Sequence, residues 1–340
     1  MFIKEFIFGM IIGIANVIPG VSGGTFALIL GIYDKLIEAL NKYDKEFLLI
    51  VIKNIFNFEL IYKELKKRDF IFLMNIFLGA VISIILTSKL ISYSIEHYYE
   101  YVYSLFFGLI LGSIPVVLKR IRKFSYSEAL FLFLGVFITF YITYRFDPAV
   151  KVIKKSEYYM NLYYAKDLVN MVEYEIQDLI SIFFVSMLAI SAMILPGISG
   201  SFIFLISGKY FVVINAISRI SKFYLNDILI IFSVMLGIIV GMLVFVRLLK
   251  FLLNNYYDKT LSFLLGLVIG GLYAIYPFKY YKLIDLYQKI GDKIVHIPNY
   301  KVYTNSIYIP SLSSNLFIIS LIFFLLGIAI MAIFMRYDKE

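Results

Sequence analysis

The chain has 340 residues, 61% of them hydrophobic and 16% charged, with a formal net charge of +9. So little charge on so apolar a chain excludes a water-soluble domain, whose surface needs more polar cover. Cysteine is absent, which excludes disulfides, thiolate chemistry and Cys-ligated metals; the two histidines, His97 and His296, fall in polar connections and read as solvated rings.

Charge-free runs cover residues 6–33, 70–88, 101–118, 129–144, 179–208, 228–246, 260–278 and 302–335. A helix needs roughly 20 apolar residues to cross a bilayer, so most of these are spanning candidates. The fold class they predict is an all-α polytopic membrane protein. No cleavable signal is expected at the amino terminus, because Lys4 is offset by Glu5 and the apolar run continues past any plausible cleavage site. In such a chain the positive charge points to cytoplasmic loops and anionic lipid headgroups, not to nucleic acid.

The first run, 6–33, is interrupted by NVIPGVSGGT at 16–25. It is too long for one comfortable span and too short for two, which need about 40 residues. Proline removes an amide donor and clashes with the preceding turn, so the helix is expected to stop near Ile18. A re-entrant hairpin over 2–40 is the simplest solution; two full crossings are the alternative. Residues 44–69 mix apolar and charged positions, as in an amphipathic helix on the membrane surface. Spans at 70–88, 101–118 and 129–144 complete a first unit, 1–145. An extramembrane connector is predicted at 146–178. A second unit, 179–340, then holds a hairpin at 179–218, broken near Leu195, and spans at 228–246, 260–278 and 313–335.

The two units resemble each other. ANVIPGVSGGTFALILGIYDKLIEA (15–39) aligns without a gap with AMILPGISGSFIFLISGKYFVVINA (192–216), pairing Pro19 with Pro196, Gly20 with Gly197, Ser22 with Ser199, Gly23 with Gly200 and Tyr33 with Tyr210, at an offset of 177. A second block repeats at an offset of 158, where Leu78-Gly79 matches Leu236-Gly237, Tyr98-Tyr99-Glu100 matches Tyr256-Tyr257-Asp258, and Gly108 and Gly112 match Gly266 and Gly270. With the amino terminus inside, inner regions collect 18 Lys and Arg and outer regions 13, which favours a cytoplasmic amino terminus in the cell membrane. An odd number of crossings per unit makes the repeats inverted, an architecture frequent in transporters.

Irregular backbone at membrane depth must line a polar cavity or be buried in protein. The glycines of each turn are expected to leave backbone N–H groups open. Ser22, Thr25, Ser199 and Ser201 add hydroxyls, and the following helix points its positive end at the turn. That combination suits an oxyanion, particularly phosphate. The competing account is close helix packing through small residues.

At these residues, NVIPGVSGGTFALILGIYDKLI with its partner ILPGISGS, the chain resembles the bacterial and archaeal polyprenyl-phosphate transporters of the PopT type, over nearly its whole length. The resemblance implies translocation of undecaprenyl phosphate or a related polyprenyl phosphate, returning spent carrier lipid from the outer to the inner leaflet for cell-envelope or glycan synthesis. It carries a headgroup-binding role onto Asn16, Pro19, Gly20, Ser22, Gly23, Gly24 and Thr25, and onto Pro196, Gly197, Ser199, Gly200 and Ser201. The second motif departs from the first, with Ser201 and Phe202 where Gly24 and Thr25 stand. Lys35, Lys209 and Arg219, just after the hairpins, and Lys89 and Arg247, equivalent at span ends, are cations that either meet the phosphate or snorkel to the interface. No cofactor is implied, and neither proton nor sodium coupling nor an oligomeric state is marked by any motif.

The rival is a polyprenyl-pyrophosphate phosphatase, whose PGxSRSxxT signature the first turn approaches. Phosphoryl cleavage needs a cation on the transferring group and a nearby acid or base. Gly23 occupies the arginine position, and residues 6–18 contain no carboxylate. A small-ion transporter is a third reading, against which no run of intramembrane Asp or Glu marks a cation path.

Overall fold

The computed structural model describes residues 2–17, 22–145, 147–164, 176–197, 224–290 and 293–337, together with isolated positions between 200 and 217. Helix α1 (Phe2–Val17) stops just before the Ile18-Pro19 step, as the restriction on a residue preceding proline requires. The short α2 (Gly23–Ile29) follows, then α3 (Tyr33–Asn41). Gly31 separates them at φ 74°, where a side chain would be strained and would also strike the Arg120 guanidinium.

The predicted amphipathic insert is two helices, α4 (Lys45–Lys53) and α5 (Phe58–Lys67), each started by a side-chain cap, Asp44 and Asn57. Their junction presents Ile55, Phe56 and Phe58, with Phe56 92% exposed. In water that display would be costly; against a bilayer interface it is favourable.

Helix α6 (Phe70–Leu118) is kinked into two helices at Tyr98, between the spans expected at 70–88 and 101–118. Residues 89–97 hold no Gly or Pro, so the helix continues through them and departs from helical geometry only at Tyr98 (φ −134°, ψ 40°). Further on come α7 (Tyr126–Arg145), α8 (Pro148–Tyr164) within the predicted connector, and α9 (Ile176–Ile194). Helix α10 (Leu225–Asn255) meets α11 (Tyr257–Gly271) at Tyr256, which adopts φ −137° and ψ 45°. Tyr98 and Tyr256 are partners in the sequence repeat, and the same backbone break sits at both.

Two further differences concern 260–313. The span expected over 260–278 ends at Gly271, and an antiparallel hairpin of β1 (Lys279–Ile290) and β2 (Lys293–Ile307) follows, the one departure from an all-helical fold among the described residues. Its strands are rich in Tyr, Ile and Val and flank Gly291-Asp292 in the sequence, a hairpin composition that hydropathy alone hides. Helix α8 lies across it. Buried Ser156 donates to the Asp285 carbonyl and accepts from the Tyr287 amide, both at 2.9 Å, beside the irregularity between Ile284 and Leu286. His97 and His296 are both exposed. Helix α12 (Asn315–Tyr337) closes the chain.

Among the described residues six stretches are long and apolar enough to cross a membrane: Phe70–Thr87, Tyr93–Leu118, Tyr126–Arg145, Ile176–Ile194, Leu225–Asn255 and Asn315–Ile333. Their outward faces carry large exposed apolar side chains, among them Phe133, Phe137, Ile322 and Leu325, which only lipid can cover without cost. The chain is a multi-pass, predominantly helical membrane protein.

The helices pack in matching pairs: α1 against the first half of α6, α9 against α10, α7 against α11, and α12 against the second half of α6. Small residues sit at each crossing, so backbones meet directly. A side chain at Gly79 would collide with the Phe6 carbonyl, and one at Gly237 with that of Phe183; at Gly108 the obstacle is the Phe324 carbonyl, at Gly266 that of Leu132. Phe6 and Phe183 differ by the same 177 as the hairpins. The last two pairs join distant parts of the chain, α7 on α11 and α12 on α6.

Candidate functional site

The segment that follows the first Pro-Gly touches the second turn. Thr25 Oγ1 accepts a hydrogen bond from the Gly197 amide at 3.1 Å, Ser22 Oγ lies 3.5 Å from the Leu195 carbonyl oxygen, and the Tyr33 hydroxyl donates to the Ile194 carbonyl at 3.2 Å. Gly24 packs so closely on the end of α9 that a Cβ there would come within 2.8 Å of the Ile194 carbonyl. Gly197 has φ 82°, a conformation that favours glycine, and its Cα faces the Leu267 carbonyl of α11. Ser22 and Thr25 are 7% and 2% exposed, whereas Asn16 is open to the surroundings.

The amides at the start of α2 are not open, which corrects the expectation from the glycines. Gly23 N–H donates to Asn16 Oδ1 at 2.9 Å and Gly24 N–H to Ser22 Oγ at 3.2 Å, while the amides of Thr25 and Phe26 reach the Ser22 carbonyl. Ser22 is the N-cap of α2, and Asn16 reaches back from the last turn of α1 to serve the same helix end. The protein's own oxygens fill the positions an anion's oxygens would take. A Cβ at Gly23 would stand 2.8 Å from both polar atoms of the Asn16 side chain, so no larger residue fits there while this bond holds.

In the second turn, Pro196 and Gly200 are buried, and Gly200 faces the Ala189 carbonyl. Pro19, Gly20, Ser199, Ser201 and Arg219 lie outside the described residues. Of the predicted cations, Lys35 pairs with Glu5 at 3.3 Å and stands over the Phe72 ring, and Lys209 pairs with Asp178 at 2.8 Å. Glu5 and Asp178 belong to the first turns of α1 and α9, so these cations close the bases of the hairpins, about 18 and 24 Å of helix rise from the ends of those helices. Lys89 lies within α6, and Arg247 is exposed near the end of α10.

Two residues that sequence reasoning did not single out complete the arrangement. Tyr33, 1% exposed, ties the first hairpin to the second; its match with Tyr210 was the available signal. Arg120, counted only as loop charge, donates to the Leu28 carbonyl at 2.8 Å and reaches that of Ile29, capping the carboxyl end of α2 where a cation is favoured. Beside it, Tyr257 at the start of α11 donates to Asp34, and the Asp258 carboxylate accepts from the amides of Arg122 and Lys123.

A buried junction of two broken helices from separate parts of one chain, enclosed by spanning helices, defines a membrane protein of the transporter class. Residues 12–291 match the VCA0040-like family, described as undecaprenyl phosphate translocase-like, and the chain belongs to that family. It is 34% identical over 278 residues to a polyprenyl-phosphate transporter of Vibrio cholerae, covering 82% of this chain and 79% of that protein. A polyprenyl-phosphate transporter of Staphylococcus aureus is 27% identical over 272 residues, 79% of this chain and 84% of the relative. No solved structure matches the chain.

Proposed function

We propose that the protein carries a polyprenyl phosphate across the cytoplasmic membrane, from the outer to the inner leaflet, without cleaving it. The observation that carries this reading is the direct bond between the turns, Thr25 to Gly197, inside a chain of this family. A phosphate headgroup is too polar to cross hydrocarbon unaided, whereas the prenyl tail can remain in lipid. In the transporting state the headgroup oxygens replace Asn16 Oδ1 and Ser22 Oγ as acceptors for the Gly23 and Gly24 amides, and the second turn opens from Thr25.

The hairpins read as re-entrant and the units, 1–145 and 179–340, as inverted repeats, with the amino terminus in the cytoplasm. Helix α1 has 16 residues and α2 only 7, about 24 and 10 Å of rise, short of the roughly 30 Å hydrocarbon core. The matched breaks at Tyr98 and Tyr256 and the matched crossings at Gly79 and Gly237 support the repeat. Carriage is favoured over phosphatase chemistry because Gly23 stands where cleavage would use an arginine.

Purified protein in liposomes containing labelled polyprenyl phosphate tests the reading. Accelerated exchange between leaflets, with no inorganic phosphate released from the corresponding pyrophosphate, is the expected result. Absence of acceleration sinks transport, and phosphate release moves the protein to the enzyme class.

A further inference from the structure

Lys279, the first residue of β1, is 2% exposed, a burial that lysine rarely tolerates unless paired. Its ammonium donates to the Ala274 carbonyl at 2.7 Å, lies 3.4 Å from Asn305 Oδ1, and stands 5.8 Å from the centre of the Tyr273 ring. These partners are all neutral. Burial pushes the ammonium from 10.5 down to about 8, with the Asp147 carboxylate of the α7–α8 connection pulling the other way.

From Lys279 a line of hydrogen bonds leads along α7 toward the second turn. Asn305 Nδ2 donates to the Thr143 carbonyl, the Tyr273 hydroxyl holds the Asn305 carbonyl at 2.9 Å, and the Thr143 hydroxyl donates to the Thr139 carbonyl at 2.7 Å. Thr139 is 1% exposed, and its own hydroxyl has no hydrogen-bond partner. It lies against the second turn: a Cβ at Gly197 would sit 3.6 Å from its methyl group. A buried cation whose bonded partners are neutral and a buried hydroxyl without a bond are each unfavourable, and an anionic headgroup with several oxygens can serve the two in turn. A purely structural Lys279, capping the turn after α11, accounts for the Ala274 bond and leaves Thr139 unexplained.

We infer that Lys279 and Thr139 receive the anionic phosphate monoester headgroup on the β-hairpin side of the membrane and pass it to the second turn at Gly197. The inference rests on the transport reading above and names the cation that reading lacks, since Lys35 and Lys209 are held by carboxylates at the hairpin bases.

The test uses the full chain in two assays: binding of a short-chain prenyl monophosphate in detergent, and leaflet exchange in liposomes. Lys279→Gln and Thr139→Val are each expected to weaken binding and slow exchange about tenfold or more, the loss of one charge-assisted bond, while Lys279→Arg keeps most of both. Thr139→Val breaks no existing bond, so its thermal midpoint stays at the wild-type value and separates binding from folding. A bound headgroup holds the proton on Lys279, so wild-type affinity falls as pH rises through about 8; in Lys279→Arg that fall moves to higher pH. The groups facing Lys279 are Asp147, Tyr273 and the neutral Asn305, with Tyr144 behind Tyr273. Wild-type binding and exchange in both Lys279→Gln and Thr139→Val overturn the inference and leave transport standing. Wild-type protein that binds the probe without exchanging it sinks transport instead. Inorganic phosphate binding as tightly as the prenyl probe overturns the lipid assignment in favour of free phosphate.

Discussion

Asn16, Ser22 and Thr25 serve three different backbone groups, and substitutions around them have distinct expected results. Thr25→Val leaves the half-buried Gly197 amide without its acceptor, a loss of about 1 kcal/mol that a lowered thermal midpoint in detergent would report. Ser22→Ala removes the cap of α2, about 1 kcal/mol. Gly23→Leu places side-chain atoms where Asn16 now sits. With both Ser22→Ala and Gly23→Leu the protein is expected to insert normally while leaflet exchange collapses; wild-type exchange rates in both would make the turn structural only. The PGxSGGT string was enough to find these residues, because glycine, proline and hydroxyl side chains are rare together in an apolar run. It was not enough to show that Asn16 and Ser22 occupy the amides, since that depends on how α1 returns onto α2. Lys35 and Lys209 were left between phosphate contact and the interface for a similar reason: sequence gives only adjacency, whereas the carboxylates of Glu5 and Asp178 hold them at the far ends of α1 and α9.

At the scale of elements, backbone contact between helices separates one glycine from another. Gly266 faces the Leu132 carbonyl directly, so Gly266→Leu must push α11 from α7, an overpacking cost of typically 1–3 kcal/mol or more. At Gly271 a Cβ would find its nearest neighbours 3.7 Å away, an ordinary contact, so Gly271→Ala is accepted without loss. Thermal unfolding of the two variants should therefore differ clearly; equal stability would contradict the crossing geometry. Hydropathy located the apolar stretches well and left the Tyr98 kink of α6 between two of them, yet it missed the β1–β2 hairpin. Polar residues alone need not stop a helix, so the first half of α6 runs on through 89–97 to the kink at Tyr98. The strands were hidden because residues 279–301 carry several Lys and Asp and fall outside the apolar runs, so hydropathy reads them as a connection although their Tyr, Ile and Val suit a strand.

For the whole molecule, the proposed topology puts the α4–α5 junction and the residues after α6 in the cytoplasm, and the β-hairpin outside. The chain has no cysteine, so single cysteines at Asn57, Lys123 and His296 can be labelled without background. An impermeant thiol reagent on intact cells should modify position 296 and spare 57 and 123; the reverse pattern inverts the orientation. The sequence by itself determined the membrane class, the family resemblance and the repeat, because apolar run length, a rare turn motif and spacing are local properties of a string. Only the tertiary structure decided which amides are occupied, which cations are already paired, and that α7 packs on α11 and α12 on α6. Those outcomes depend on which backbones approach closely enough to exclude a side chain, and carbonyls such as those of Ile194, Leu267 and Phe324 have neighbours no one-dimensional pattern records.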